Sequence, residues 1–157
     1  MTRALDRLDA EAAKIVRALR AAHLHDAGRR ELLQTACERL RALGPPFTSV
    51  YAYMLHGDDL LLEAHAGRAT EHARIPVGTG VCGTAVATQQ DQNVPDVTAA
   101  GHYLACNVDT KSELVVLIRR GDHILGQIDI DSDVPAGFGV REHAAVKDVA
   151  DALAVLL

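Results

Sequence analysis

The sequence predicts an α+β fold in a single domain, an antiparallel sheet covered by helices. Three observations carry this. Apolar residues recur at helical spacing at both ends of the chain. Between them lie two pairs of strand-like runs, each pair joined by a Gly-Asp turn. No linker, repeat or low-complexity segment divides the 157 residues, a length that suits one domain with its own core. Strands that arrive as hairpins, rather than alternating with long helices, predict antiparallel pairing.

From Leu5 onward the apolar residues fall at Leu8, Ala12, Ile15, Val16, Leu19 and Ala22, with Arg, Asp, Glu and Lys on the opposite side. That spacing predicts a first amphipathic helix. Asp26-Ala27-Gly28 interrupts it, and Leu32, Leu33, Ala36, Cys37 and Leu40 form a second stripe that stops before Gly44-Pro45-Pro46. Residues 49–56 and 60–66, rich in β-branched, aromatic and aliphatic residues, flank Gly57-Asp58-Asp59 and read as a hairpin. Residues 67–73 have no period, and 74–77 form a short extended piece leading into Gly78-Thr79-Gly80-Val81-Cys82-Gly83. A short helix of small residues over 81–90 and a brief strand over 93–97 follow. Residues 98–112 read as a long loop or broken helix, and long loops inside small domains often carry function. Residues 113–120, a Gly121-Asp122 turn and residues 123–131 make a second hairpin, and 141–157 a last amphipathic helix with Val146, Val149, Ala150 and Leu153 on one stripe.

The chain has three Tyr, two Phe and no Trp, so its interior is built from aliphatic side chains. A formal charge of −5 and basic residues clustered no further than pairs argue against nucleic-acid binding. No apolar stretch approaches the roughly 18 residues of a membrane span, and the start of the chain lacks a signal-peptide pattern, so a cytoplasmic protein is expected. Three cysteines, Cys37, Cys82 and Cys106, are too few and too unevenly spaced for a disulfide framework, and reduced thiols are expected. The cysteines do not occur as closely spaced ligand pairs and His23-x-His25 reads as a solvated helix end, so no metal or other cofactor is expected.

The chemistry-bearing residues concentrate between Ile75 and Ser132. Cys37, on an apolar helix stripe, reads as an inert buried thiol. Cys82 follows a glycine turn at the start of a short helix, where free backbone amides favour a thiolate. It reads equally well as a small residue where the turn meets the sheet. Cys106 lies in the long loop with His102 and Lys111 close by. Alternation along residues 123–131 places Gln127, Asp129 and Asp131 on one face, where the two aspartates alone read as exposed charges. Glu113 shares its face with Val115 and Leu117, and desolvation there would raise its pKa.

Residues 74–87 (Arg-Ile-Pro-Val-Gly-Thr-Gly-Val-Cys-Gly-Thr-Ala-Val-Ala), Val94-Pro95-Asp96-Val97, Gly101-His102-Tyr103-Leu104-Ala105-Cys106, Ser112-Glu113-Leu114-Val115-Val116 and 125–132 (Leu-Gly-Gln-Ile-Asp-Ile-Asp-Ser) together resemble the GAF domain family, and within it the free methionine (R)-sulfoxide reductases. The resemblance runs from about Phe47 to the C-terminus. It implies one GAF-like domain over 1–157, with helices in 1–43 and the sheet, pocket and last helix in 47–157. The sheet would have six antiparallel strands, with the N- and C-terminal helices on one face and a ligand pocket on the other. It implies Cys106 as nucleophile on the sulfoxide sulfur, and Glu113, Asp129 and Asp131 as carboxylates that bind the substrate and protonate its oxygen, with Tyr103 beside them.

Those reductases commonly carry another cysteine near the position of His72, and none lies here between Glu38 and Val81. Either Cys82 or an external thiol would then resolve Cys106, with a thioredoxin-like protein as the final reductant. The alternative implied reading is a non-catalytic GAF module that binds a small polar ligand or senses redox state, with a role in signalling. The terminal helical stripes also suit a homodimer.

Overall fold

The computed structural model describes residues 2–99 and 109–157, and the side chains of residues 2–6 are left aside. Helix α1 (Thr2–Leu24) is followed by α2 (Arg29–Arg41), the hairpin β1 (Ser49–His56) and β2 (Asp59–Ala66), and the short strand β3 (Arg74–Pro76). Helix α3 (Gly80–Thr88), β4 (Gln92–Val94), the hairpin β5 (Ser112–Arg120) and β6 (His123–Ser132), and α4 (Val140–Leu156) complete the chain. Among the described residues a 3-10 turn, Val97–Ala99, begins at the last residue of the stretch read as a brief strand and runs into the stretch read as a loop.

All six strands join one sheet in the order β3-β2-β1-β6-β5-β4, every neighbouring pair antiparallel. The two hairpins therefore lie side by side through β1 and β6, and the short strands β3 and β4 cover the two edges. Three-residue edge strands leave little exposed backbone for unwanted pairing.

Side chains alternate across the sheet, and the two faces do different work. One face presents Val50, Ala52 and Met54 from β1, Leu114, Val116 and Ile118 from β5, and Ile128 and Ile130 from β6 to the helices. Leu32, Leu33, Ala36, Cys37 and Leu40 of α2 and Val146, Val149, Ala150 and Leu153 of α4 complete this core, as their periodicity predicts. Each such fully buried Leu, Ile or Val contributes about 1.5–3 kcal/mol relative to exposure. The N- and C-terminal helices thus share one side of the sheet, with one refinement. Helix α1 packs chiefly on α4 and α2, an outer layer that buries Ala12, Ile15 and Leu19, while α2 and α4 touch the strands. The start of α4 is secured by Glu142, whose Oε2 accepts a hydrogen bond from the Gly139 N–H at 2.9 Å.

The opposite face carries α3. Val81, Cys82, Ala85 and Val86 pack there against Tyr51, Tyr53, Leu60, Ile75, Val115, Leu117 and Ile124.

Candidate functional site

Register sets out the polar side chains of the α3 face in three rows. Ser49 of β1 pairs with Asp131 of β6, which pairs with Glu113 of β5. Tyr51, Asp129 and Val115 form the next row, and Tyr53, Gln127 and Leu117 the third. The alternation that puts Ile128 and Ile130 into the helical core necessarily turns Gln127, Asp129 and Asp131 to this side. Glu113 is likewise opposite in sense to Leu114 and Val116.

These groups are not on the surface. Glu113 is 3 % exposed, Gln127 0 %, Asp129 0 % and Asp131 3 %. The reading of Asp129 and Asp131 as solvated charges is thereby corrected, because α3 and the segment after β2 roof the strands they stand on. Among the described residues, no hydrogen-bond partner meets either carboxylate oxygen of Asp129 or Asp131, or the amide oxygen and nitrogen of Gln127. A buried polar atom left unpaired costs about 1–3 kcal/mol, more when charged. Burial accordingly drives the Asp131 carboxyl well above the ordinary aspartate range, with the nearby Asp129 adding to the effect and Arg68 opposing it. Burial also raises Asp129, with Glu113 and Cys82 drawing it part of the way back.

Helix α3 brings in the thiol. It can approach the Gly78 turn because residue 83 has no side chain: a Cβ there would sit 2.6 Å from the Pro76 carbonyl oxygen and 2.9 Å from the Gly78 nitrogen. Cys82, one residue earlier, then points at the carboxylates, with its Sγ 3.9 Å from Glu113 Oε1. One ligating atom each from Cys82, Glu113 and Asp129 lie within 4.8 Å of one another. These three are the described residues that could hold a metal ion, a set that spacing in the sequence conceals and the fold assembles.

The expectation of a thiolate stabilised at the helix start does not hold for Cys82. Burial pushes its thiol well above the ordinary cysteine value, and the neighbouring acidic groups Asp129, Glu113 and Asp131 push the same way. A few backbone amides cannot offset three acidic neighbours in a water-poor site. Cys37 is buried in the helical core as expected, and its pKa is pushed up to about 12 by burial, with a smaller effect from Glu38. Cys106 and Tyr103, together with His102, lie outside the described residues.

Sequence reasoning missed the roof supports. The hydroxyl of Tyr51 donates to the Arg68 carbonyl at 2.7 Å and that of Tyr53 to the His72 carbonyl at 2.7 Å. The Arg68 N–H donates to Ser49 Oγ at 3.0 Å, and the Arg68 guanidinium grips Asp133 through two hydrogen bonds of 2.7 and 2.5 Å. Residues 67–73 are thus tied across the site face at four points. The available signal was the Ser49, Tyr51, Tyr53 alternation, which places three hydroxyls on the same face as Asp129 and Asp131.

A fold of this kind with a roofed polar face invites comparison with known proteins. The GAF domain model matches residues 28–157. The chain belongs to the GAF domain family. Among curated proteins, this GAF domain is 37 % identical over 97 residues to the free methionine-R-sulfoxide reductase of Escherichia coli, a match spanning 62 % of this chain and 58 % of that protein. The chain thus spans little more than half of that relative's length. Among solved structures it is similar to the type II free methionine-R-sulfoxide reductase of Thermoplasma acidophilum, with a TM-score of 0.79 and 38 % identity over 82 % of this chain and 91 % of that one. It is also similar to the free methionine-R-sulfoxide reductase of Neisseria meningitidis in complex with its substrate, with a TM-score of 0.84 and 25 % identity over 94 % and 89 % of the two chains. No helix among the described residues is long and apolar enough to cross a membrane.

Proposed function

We propose that this GAF domain reduces free methionine (R)-sulfoxide to methionine on the α3 face of its sheet. The observation that carries the reading is the row structure of that face: three carboxylates, Glu113, Asp129 and Asp131, buried together with a thiol. Similarity to reductases, one of them solved with its substrate, supports the choice of ligand. An amino acid brings an ammonium group, which an ionised carboxylate binds, and a sulfoxide oxygen, which must be protonated to leave sulfur. The site meets both needs when one carboxylate is charged and another neutral. Asp131, which burial keeps protonated to higher pH, suits the proton donor; Asp129, whose rise Glu113 and Cys82 hold back, suits the ammonium, with Glu113 as a further substrate contact. Tyr103 would complete the substrate contacts.

In this reading the Cys106 sulfur attacks the sulfoxide sulfur. The substrate's sulfur–oxygen bond breaks as the protonated oxygen transfers to the Cys106 sulfur, the transient sulfur–sulfur bond breaks with it, methionine leaves, and Cys106 is left as a sulfenic acid. A second thiol then displaces water to form a disulfide, which a thioredoxin-like dithiol reduces. Cys82 can serve as that second thiol only after passing its proton on, and Glu113 is the carboxylate placed to take it. An external thiol avoids this requirement.

Incubation of the purified protein with free methionine R-sulfoxide and dithiothreitol, with methionine measured by chromatography, tests the proposal. Wild-type turnover is expected, and Cys106→Ser is expected to abolish it. Absence of methionine from the wild type would favour the second reading, a ligand-binding or redox-sensing GAF module. One observation points that way: the only described thiol on the site face is held protonated.

A further inference from the structure

We propose that Cys82, Glu113 and Asp129 form a binding site for one borderline-soft divalent cation, with Zn²⁺ as the best-fitting ion. One ligating atom from each lies within 4.8 Å of the other two, and Sγ of Cys82 is 3.9 Å from Glu113 Oε1. In a tetrahedral zinc shell, with Zn–S about 2.3 Å and Zn–O about 2.0 Å, ligand atoms stand about 3.3–3.7 Å apart. Side-chain rotations of about 1 Å close that gap. The three residues sit on three different elements, α3, β5 and β6, which aim their side chains at a common point.

The second observation is independent of the clustering. Asp129 is wholly buried, and both its carboxylate oxygens lack a hydrogen-bond partner among the described residues. Arg68, the cation that acts on the neighbouring Asp131, is held by both carboxylate oxygens of Asp133 and is not among the groups that act on Asp129. A buried carboxylate in this position needs either a proton or a cation. A divalent ion would supply the charge, and the protons of Cys82 and of any protonated carboxyl would pass to solvent as it binds.

The donor set selects the ion. A thiolate disfavours Mg²⁺ and Ca²⁺, which take oxygen ligands, whereas one sulfur and two oxygens suit Zn²⁺. Three protein ligands leave a fourth position for water. Asp131, the cross-strand partner of Glu113 on β6, is placed to steady the Glu113 carboxylate. If the reductase reading also holds, bound zinc occupies the carboxylates that receive the substrate, so the metal inhibits turnover; the binding itself does not rest on that reading.

The test is a titration of the metal-free protein, reduced with a phosphine, with Zn²⁺ in competition with a chromophoric chelator. Co²⁺ is used in parallel to read thiolate ligation from its near-ultraviolet charge-transfer band. One ion per chain is expected in the wild type. Asp129→Asn is expected to weaken binding by about tenfold or more. Cys82→Ser is expected to abolish the cobalt band, while Cys37→Ser and Cys106→Ser leave stoichiometry and band unchanged. The proposal is overturned if the wild type binds no ion, if Asp129→Asn binds as tightly as wild type, or if the band survives Cys82→Ser or disappears in Cys106→Ser. Asp129→Asn is nearly isosteric and decides alone should Cys82→Ser not fold. Because the readout is binding, an inactive but zinc-binding protein would contradict the proposed reaction and leave this inference standing.

Discussion

Asp131 links the stability of the domain to pH. Unfolded, its carboxyl titrates in the ordinary range; folded, burial and Asp129 hold its proton to higher pH. Between those two values the native state binds more protons than the unfolded chain, so its stability falls as pH rises, by up to about 1.4 kcal/mol per pH unit. Asp131→Asn keeps the shape and removes the titration. It is expected to flatten this slope and to stabilise the protein by about 1–3 kcal/mol near neutrality, as measured by urea unfolding at pH 5 and pH 8. Equal slopes in the two proteins would show that Asp131 is ionised in the native state at no cost. Cys37 makes a second prediction at this scale. With its pKa pushed up to about 12 and its side chain in the helical core, it is expected to react with iodoacetamide at pH 8 about a thousandfold more slowly in the native protein than when unfolded. Peptide mass spectrometry after timed quenching gives the ratio.

At the scale of elements, the site depends on how closely α3 approaches the sheet. Small residues make the helix thin, and Gly83 lets it meet the Pro76 to Gly78 turn. Gly83→Ala would force a methyl group against the Pro76 carbonyl, where backbone rather than a flexible side chain must give. A loss of about 1–3 kcal/mol is expected, with Cys82 displaced from Glu113. Thermal unfolding reports the first effect; faster alkylation of Cys82 in the native state reports the second. Residues 67–73 behave differently. Their bidentate Arg68–Asp133 pair is about one-third exposed on each side, and such pairs contribute at most about 1 kcal/mol. Asp133→Ala is therefore expected to leave the unfolding midpoint nearly unchanged while increasing amide exchange across 67–73. Unchanged exchange would mean that the Tyr51 and Tyr53 hydrogen bonds hold the segment by themselves.

Over the whole molecule, a helical core on one face of the sheet supports a polar, under-satisfied site on the other. The strain of buried carboxylates is local, and the aliphatic core across the same strands offsets it. Because α1 reaches the strands mainly through α2 and α4, it transmits its packing to the entire helical layer. Leu19, fully buried, is expected to cost about 2–5 kcal/mol on Leu19→Ala, in one cooperative transition if residues 1–157 act as a single unit. Far-UV circular dichroism and tyrosine fluorescence should then give one midpoint; separate midpoints would place the first helix in a unit of its own.

Periodicity by itself determined the element order, both hairpins, the helical core and the burial of Cys37, because period 3.6 and period 2 are local consequences of backbone geometry. The common face of Gln127, Asp129 and Asp131 was legible for the same reason, and the motifs between Arg74 and Ser132 pointed to the GAF family. Burial was not legible, since whether a strand face meets water depends on what another part of the chain lays over it. Only the tertiary structure decided that α3 and residues 67–73 roof these strands, that Tyr51 and Tyr53 hold the roof, and that α1 is an outer layer. It also decided the state of Cys82. A helix start read along the chain promises a stabilised thiolate, but three carboxylates contributed by other strands reverse the local field, and no sequence spacing encodes that encounter.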